Sequence, residues 1–94
     1  MSNRFVHVGF NFTGDAPIDA LTKTFNSATD WVRYDNGCWI LYTSTALDTW
    51  RDRIRNTPGI LPGDSFFLCE FGIANYSGYM HDWVWKWLKK PRSN

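Results

Sequence analysis

The stretch WVRYDNGCWILYT, residues 31–43, decides the fold of this chain. Asn36 and Gly37 stand between two runs of aromatic and β-branched residues, and these residue types best tolerate the positive φ angles of a two-residue type I′ turn. The stretch therefore predicts a tight β-hairpin. Its expected register pairs Asp35 with Cys38 and continues to Trp31 opposite Tyr42.

The two faces of this hairpin differ in the expected register. One face carries an aromatic and aliphatic cluster typical of a surface that helices cover: Val32, Tyr34, Trp39 and Leu41. The opposite face is mixed: Trp31, Arg33, Asp35, Cys38, Ile40 and Tyr42. This second face is too apolar to be purely solvated, so we expect it to be covered as well.

Length and composition indicate one small domain over residues 1–94. The chain is 44% apolar and its net charge is +1. A chain of this length buries about 60–65% of its unfolded surface, so it is expected to fold without metal or disulfide support. The balanced charge excludes a domain that clamps nucleic acid with its whole surface, and any such binding must be local.

The cysteines and the first residues bear on location. Cys38 and Cys69 fall within predicted strands and lack a CxxC spacing, which favours free thiols over a bridge and suits a reducing compartment. The N-terminal residues lack a basic leader with an apolar core, and no apolar run approaches the ~20 residues of a membrane helix. We expect a soluble, cytoplasmic protein without a cofactor.

The remaining elements follow from the periodicity of apolar residues. Alternation predicts strands over residues 5–12 and 66–73, and three- and four-residue spacing predicts helices over 16–28, 46–56 and 79–90. The expected N-caps are Asp15, Thr45 (in a capping box with Asp48) and Ser77.

The order of these elements predicts the fold class. Strand, helix, strand, strand, helix, strand is the βαββαβ order of an α+β ferredoxin-like sandwich, here with an extra C-terminal helix. A helix between two strands favours a parallel crossover, while the hairpin requires an antiparallel pair. The extra helix is expected to bury a stripe of four residues: Met80, Trp83, Val84 and Trp87.

With helices on one face of the sheet, the second face would stay open. Its expected apolar residues are Phe5, Trp31, Ile40, Tyr42, Phe66 and Leu68. Because an apolar patch much above about 300–600 Å² is unusual on a monomer, we predict a homodimer that packs these faces together. The expected buried area is on the order of 800 Å² per subunit. The alternative is that the C-terminal helix folds back over this face.

Several stretches carry a resemblance to a known family: residues 5–12, the hairpin with its WILYT strand, 47–52, GDSFFLCE at 63–70 and WKWLKK at 85–90. In these the chain resembles the SinR-like family of small bacterial and phage proteins. That family is similar to the ferredoxin-like small subunit of the CRISPR adaptation complex. The resemblance covers nearly the whole chain and rests mainly on structural motifs. It implies a homodimeric ferredoxin-like fold and a mobile-element or defence context.

For its CRISPR relatives, the resemblance also implies a metal-dependent nuclease that contacts nucleic-acid backbone. The aspartate that pairs with its dimer mate around a divalent cation corresponds to Asn11. Asn offers one neutral carbonyl oxygen, whereas Mg²⁺ requires charged oxygen ligands. Asp15 is a second candidate, although N-capping is its simpler role. We therefore interpret the chain as a non-enzyme without a metal site. The alternative is an endonuclease dependent on Mg²⁺ or Mn²⁺.

Basic side chains of the second and third helices form a candidate surface for nucleic acid or another partner. Its members are Arg51, Arg55, Lys86, Lys89, Lys90 and Arg92, with Arg53 beside them. Doubled in a dimer, such a surface would contact phosphates along a duplex, and binding would weaken steeply with salt. The alternative is that these are ordinary solvated helix faces.

Three functional hypotheses follow. The first is a small, cytoplasmic, non-catalytic homodimer that acts as an interaction module for a protein or for nucleic-acid backbone. The second is the metal-dependent endonuclease. The third is an inhibitor of another macromolecule, anchored by Trp31, Tyr42 or Trp85. His7 and His81 have no further ligand at a spacing that fixes a metal, so we assign neither to a metal site.

Overall fold

The computed structural model describes residues 2–72 and 75–92 and shows an α+β fold. Its four strands are β1 (Arg4–Asn11), β2 (Asp30–Asp35), β3 (Cys38–Thr43) and β4 (Ser65–Phe71). Its three helices are α1 (Ile18–Phe25), α2 (Leu47–Arg55) and α3 (Asp82–Lys89). The types and order of all seven elements agree with the sequence prediction. Ile73, the predicted end of the last strand, lies outside the described residues.

The sheet is antiparallel and has the order β2-β3-β1-β4. Within it β1 pairs with β3, with Arg4 opposite Thr43, and with β4, with Asn11 opposite Ser65. The central position of β1 means that its alternate residues supply both faces of the sheet. The edges of the sheet are β2 and β4.

The first face of the sheet carries the main core, beneath α1 and α2. Eight fully buried residues form it: Val6, Val8, Leu21, Phe25, Trp39, Leu41, Trp50 and Ile54. The ring of Phe25 lies 4.7 Å from Trp39 and 5.9 Å from Trp50, centroid to centroid. Full burial of each such side chain contributes about 1.5–3 kcal/mol, so this cluster is the main source of stability. Leu21 and Phe25 of α1 and Trp50 and Ile54 of α2 thus place the apolar sides of both helices against the sheet.

The second face of the sheet is covered by α3. The buried residues between this face and α3, which we call the second core, are Phe5, Val32, Ile40, Tyr42, Val84 and Leu88. The expectation that helices shield one face only is therefore wrong, and the C-terminal helix lies over this face instead. The reason is the amphipathic pattern of α3, which needs an apolar surface of its own.

This arrangement separates the six residues predicted for a dimer interface. Phe5, Ile40 and Tyr42 are buried beneath α3 within the chain. The other three, Trp31, Phe66 and Leu68, pack against the main core on the opposite face. The six residues do not form one surface, so they cannot together form the predicted interface between the sheet faces of two subunits. The homodimer itself stays a prediction.

The buried stripe of α3 differs from the one predicted. Val84 and Leu88 are buried, whereas Trp83 is 47% exposed. The helix begins at Asp82 with His81 as its N-cap, three residues later than predicted. One residue corresponds to about 100° around a helix, and Trp83 precedes the inward-facing Val84 by one position. The prediction that Trp83 lies inward is therefore wrong.

Arg92 connects the C-terminal end of α3 to the sheet through contacts with Tyr42 and Trp87. Its guanidinium lies 4.9 Å from the ring centroid of Tyr42 and 4.5 Å from that of Trp87. It donates a hydrogen bond to the carbonyl of Trp87 (2.7 Å), and Asp30 accepts one from the indole of Trp87 (3.1 Å). Because only 9% of the Arg92 side chain is exposed, this residue holds α3 in place and offers little to an external ligand.

The turn between β2 and β3 is not the predicted type I′ turn. Neither Asn36 nor Gly37 has a positive φ angle, which both central positions of that turn require. Gly37 instead lies beside Phe10 of β1, where the amide of Phe10 donates to the carbonyl of Gly37 at 2.8 Å. A Cβ on Gly37 would lie 2.9 Å from the Phe10 carbonyl oxygen, so this close approach requires glycine.

The register of the hairpin also changes beyond the turn. Asp35 faces Cys38 as predicted, but an irregularity between Arg33 and Asp35 places Arg33, not Tyr34, opposite Trp39. A one-residue slip moves the preceding side chains of a strand to the other face. Val32 and Tyr34 consequently lie beneath α3, and the prediction that they share a face with Trp39 is wrong.

The predicted N-caps are also wrong. The observed N-cap residues are Pro17, Ala46 and His81, and none makes a side-chain capping hydrogen bond. Each helix begins later in the chain than Asp15, Thr45 or Ser77 would require. Asp15 is an exposed loop residue.

A buried carboxylate joins the two loops that flank α1 and β4. Asp64 accepts hydrogen bonds from the amide of Leu61 (2.8 Å) and from the amide (2.7 Å) and hydroxyl (2.9 Å) of Thr13. These bonds lower the pKa of Asp64 below its ordinary value of 3.8. In the segment between α2 and β4, Gly59 has a φ angle of +95°.

Candidate functional site

One cavity lies between the second face of the sheet and residues 75–80, which lead into α3. Its volume is about 350 Å³, at the lower end of the range typical of small-ligand sites. The residues that line it are His7, Tyr34, Ile40, Cys69, Phe71, Asn75, Tyr76, Ser77, Met80, Trp85 and Leu88. We refer to this cavity as the α3 pocket.

The strands position the floor of the α3 pocket. His7 lies at the centre of β1, directly opposite Ile40 of β3 and Cys69 of β4. It alternates with core residues of β1, so its side chain points to the α3 face. A Cβ on Gly9 would lie 3.4 Å from Cε1 of His7, so glycine at this position leaves room for the imidazole.

A hydrogen bond of 2.6 Å joins Nε2 of His7 to the hydroxyl of Tyr34. Burial lowers the pKa of His7 from 6.5. Burial also raises the pKa of Tyr34 to about 12, aided by a hydrogen bond with Cys38 and by the nearby charge of Asp35. Both rings are therefore neutral at pH 7.

Aromatic rings form the opposite wall. Tyr76 stacks on Trp85 at 5.9 Å and meets Phe71 edge-on at 5.7 Å, both measured between ring centroids. Met80 adds a flexible side chain that adapts to different shapes. None of the described residues that line the pocket is Asp, Glu, Lys or Arg. The pocket therefore suits an uncharged apolar or aromatic group.

Among the described residues, the hydrogen bonds of Cys69 do not include a base that would activate it as a nucleophile. Its thiol lies 3.9 Å from the carbonyl oxygen of Glu70 on its own strand, and the Nε2 atom of His7 is engaged by Tyr34. A cysteine nucleophile requires a base within hydrogen-bond distance, and no such bond joins Cys69 to His7. Within residues 2–72 and 75–92, no group of three or more His, Cys, Asp or Glu side chains could hold a metal ion.

The residues considered for catalysis lie elsewhere. Asn11 ends β1 opposite Ser65, and its side chain is exposed. Asp15 is exposed in the loop before α1. Neither residue lines the α3 pocket. The metal-dependent endonuclease stays a prediction.

The basic residues of α2 and α3 lie on opposite sides of the sheet. Arg51 of α2 lies 3.4 Å from Asp48 and 3.2 Å from Asp52, so acidic neighbours compensate its charge. Arg55 is exposed on the same helix. The guanidinium of Arg53 lies over the ring of Trp50 at 5.1 Å.

The basic residues of α3 and of the segment that follows it are grouped separately. Lys86, Lys89 and Lys90 are exposed and line one shallow groove, while Arg92 points into the second core. The structure thus brings the three lysines together but not the predicted set as a whole. Nucleic-acid binding stays a prediction that concerns two separate surfaces.

The three proposed aromatic anchors are all engaged within the chain. The indole of Trp31 donates to Asn26 (2.9 Å), Tyr42 is 7% exposed, and Trp85 lines the α3 pocket. Sequence reasoning did not identify His7, Tyr34 and Cys69 as parts of one site. The alternation in β1 could have indicated only that His7 faces away from the main core.

Comparison with known proteins adds no identification, since no family model, curated protein or solved structure matches the chain. The resemblance to the SinR-like family therefore stays a prediction. No helix in the described part of the chain is long and apolar enough to cross a membrane.

Proposed function

We propose that this chain is a small non-catalytic interaction module that binds an aromatic or aliphatic side chain of a protein partner in the α3 pocket. The observation that carries the proposal is the pocket itself, which is mainly apolar and has no charged residue type in its lining. The neutral His7 and Tyr34 on its floor add polar groups that orient a ligand without attracting charge.

The proposal also includes the fold class. We propose a ferredoxin-like sandwich with an additional C-terminal helix. The support is the strand order β4-β1-β3-β2, with α1 between β1 and β2 and α2 between β3 and β4. In this arrangement the second face of the sheet forms the floor of the α3 pocket.

The choice of a protein side chain over a phosphate-bearing ligand rests on charge. A phosphate group would need a cationic or hydrogen-bonding cradle, and Lys86 and Lys89 lie outside the pocket. Binding in the pocket is thus expected to vary little with salt, whereas contacts to nucleic-acid backbone weaken steeply. A cytoplasmic location also belongs to the proposal, and the free thiols of Cys38 and Cys69 support it.

The experiment is a titration followed by NMR, with the amides and the indole of Trp85 as reporters. The probes are N-acetylated amides of phenylalanine, leucine and aspartate. We expect saturable shifts at pocket residues with the first two probes and none with the third. Single-stranded RNA serves as the competing ligand, and stronger shifts with RNA than with the apolar probes would contradict the proposal.

Two variants on one strand give a matched pair. Cys69→Phe fills the pocket and should abolish the shifts. Ser65→Phe introduces the same ring on the same face of β4, outside the pocket, and should leave them unchanged. If both variants bind the probes as the wild type does, the pocket is not the binding site.

A further inference from the structure

The two edge strands of the sheet, β2 and β4, differ in the features that hinder pairing with a strand of another chain. The β2 edge contains the irregularity between Arg33 and Asp35, and three of its six side chains are charged. The β4 edge runs regularly against β1 over seven residue pairs, without proline, and its one charged residue is Glu70. Glu70 is bound by Arg4 of the same chain. Proteins usually prevent pairing at exposed sheet edges with bulges or charged side chains. The β4 edge has no bulge, and its one charged side chain is already ion-paired.

The hydrogen-bond pattern shows which groups of β4 point outward. Phe10 donates to Gly37 on the β3 side of β1, so the even-numbered residues of β1 bond to β3. Bonding alternates along an antiparallel strand, so the odd-numbered residues of β1 bond to β4. Their partners in β4 are also odd-numbered. The N–H and C=O groups of Phe66, Leu68 and Glu70 therefore point away from the sheet.

A large apolar side chain accompanies this free edge. Phe67 is 69% exposed and lies on the α3 face of β4, two residues before Cys69. On this face α3 covers the part of the sheet around Phe5 and Tyr42 and does not reach Phe67. An outward-facing backbone edge and an exposed phenylalanine are thus adjacent.

We propose that β4 pairs in antiparallel fashion with β4 of a second copy of this chain, about a two-fold axis at Leu68. In this register Leu68 faces its own counterpart and Phe66 faces Glu70 of the second copy. All three outward-facing residues then exchange hydrogen bonds across the axis. The two sheets become one continuous eight-stranded sheet.

A second copy fits this edge because the pairing is self-complementary. A two-fold axis presents the same strand to itself in antiparallel orientation. Glu70 is already neutralised by Arg4, so two copies meet without repulsion between unpaired carboxylates. The exposed ring of Phe67 would pack against Cys69 of the second copy, which lies at the α3 pocket. The dimer thus covers Phe67 and gives the pocket a neighbour from the other chain.

The first test introduces a cysteine. In the proposed register, residue 67 and Cys69 of the second copy form a non-hydrogen-bonded pair with a Cα separation of about 4.5 Å, which a disulfide can span. Phe67→Cys should therefore give a covalent dimer under mild oxidation, and mass spectrometry should map its disulfide to positions 67 and 69. Leu61→Cys, exposed but outside β4, is the control and should stay monomeric on a non-reducing gel.

The second test removes one outward-facing N–H. Glu70→Pro deletes this donor, whereas Glu70→Ala keeps it and equally loses the contact with Arg4. Since each of the two copies loses one interchain hydrogen bond, we expect Glu70→Pro to weaken dimerisation by about 30-fold relative to Glu70→Ala in sedimentation equilibrium.

Three results would overturn the proposal. These are a wild type that stays monomeric up to millimolar concentration, a Phe67→Cys disulfide that maps to other positions, and equal dimerisation of the two Glu70 variants. If Glu70→Pro does not fold, the disulfide map decides alone. Failure of this dimer leaves the ligand titration of the pocket unaffected, so the two proposals are tested separately.

Discussion

Truncation of Leu88 to alanine tests the packing of α3 on the sheet. Leu88 is 2% exposed and lies within the second core with Val84. Truncation of a buried leucine costs about 2–5 kcal/mol in the free energy of unfolding. We expect a value near the lower limit, about 2–3 kcal/mol, because Leu88 also lines the α3 pocket and α3 can detach locally before the main core unfolds.

Trp83→Ala is the matched control in the same helix. Its side chain is larger but 47% exposed, so we expect a loss below about 1 kcal/mol. The stripe predicted from sequence places Trp83 inward and leaves Leu88 out, which gives the opposite ranking. The two variants therefore distinguish the two orientations of α3 directly.

Urea-induced unfolding followed by far-ultraviolet circular dichroism measures both losses. Hydrogen exchange of the α3 amides then shows whether Leu88→Ala loosens α3 alone or the whole domain. This packing of α3 is refuted if Trp83→Ala costs as much as Leu88→Ala, or if Leu88→Ala leaves the unfolding midpoint unchanged.

Three further predictions concern ionisation and backbone geometry. Burial lowers the pKa of His7, so on acidification the unfolded state is protonated at this residue before the folded state is. The free energy of unfolding of the wild type should therefore fall as the pH drops below 6.5. His7→Gln should lack this part of the pH dependence of the denaturation midpoint. Hydrogen bonds lower the pKa of Asp64, so Asp64→Asn should melt at a lower temperature than wild type at pH 7, and the difference should shrink as the pH falls through 3.8. Gly59→Ala should cost at least about 1–2 kcal/mol in urea unfolding, because its φ is +95° and the new Cβ would lie 2.6 Å from Pro17. Gly14→Ala, whose nearest contact is 3.7 Å away, should stay within about 0.5 kcal/mol of wild type.

The parts of the fold that sequence predicts well are those with a clear period. Leu21 and Phe25 repeat at helical spacing, as do Trp50 and Ile54, and all four lie in the main core. Alternation likewise predicts β1, where Val6 and Val8 face that core. In these segments the apolar residues occupy one side only, so the pattern fixes both the element and the face that it buries.

The orientation of α3 could not be predicted in the same way. Apolar residues occupy five of the six positions from 83 to 88, with Lys86 as the exception. Such a helix offers several apolar stripes, and the surface that receives it selects among them. Val84 and Leu88 pack in one cluster with Ile40 and Tyr42, and Trp83 is left at the surface. This choice depends on tertiary packing, which single-sequence periodicity does not contain.

The α3 pocket depends on a similarly non-local feature. In an unbulged hairpin Tyr34 would face the main core opposite Trp39, and His7 would lack its hydrogen-bond partner. The irregularity between Arg33 and Asp35 inserts one residue into β2 and moves Tyr34 to the α3 face, 2.6 Å from His7. A one-residue slip thus produces the polar floor of the site. The candidate site therefore depends on this register shift between Arg33 and Asp35, which the residues of the turn do not specify.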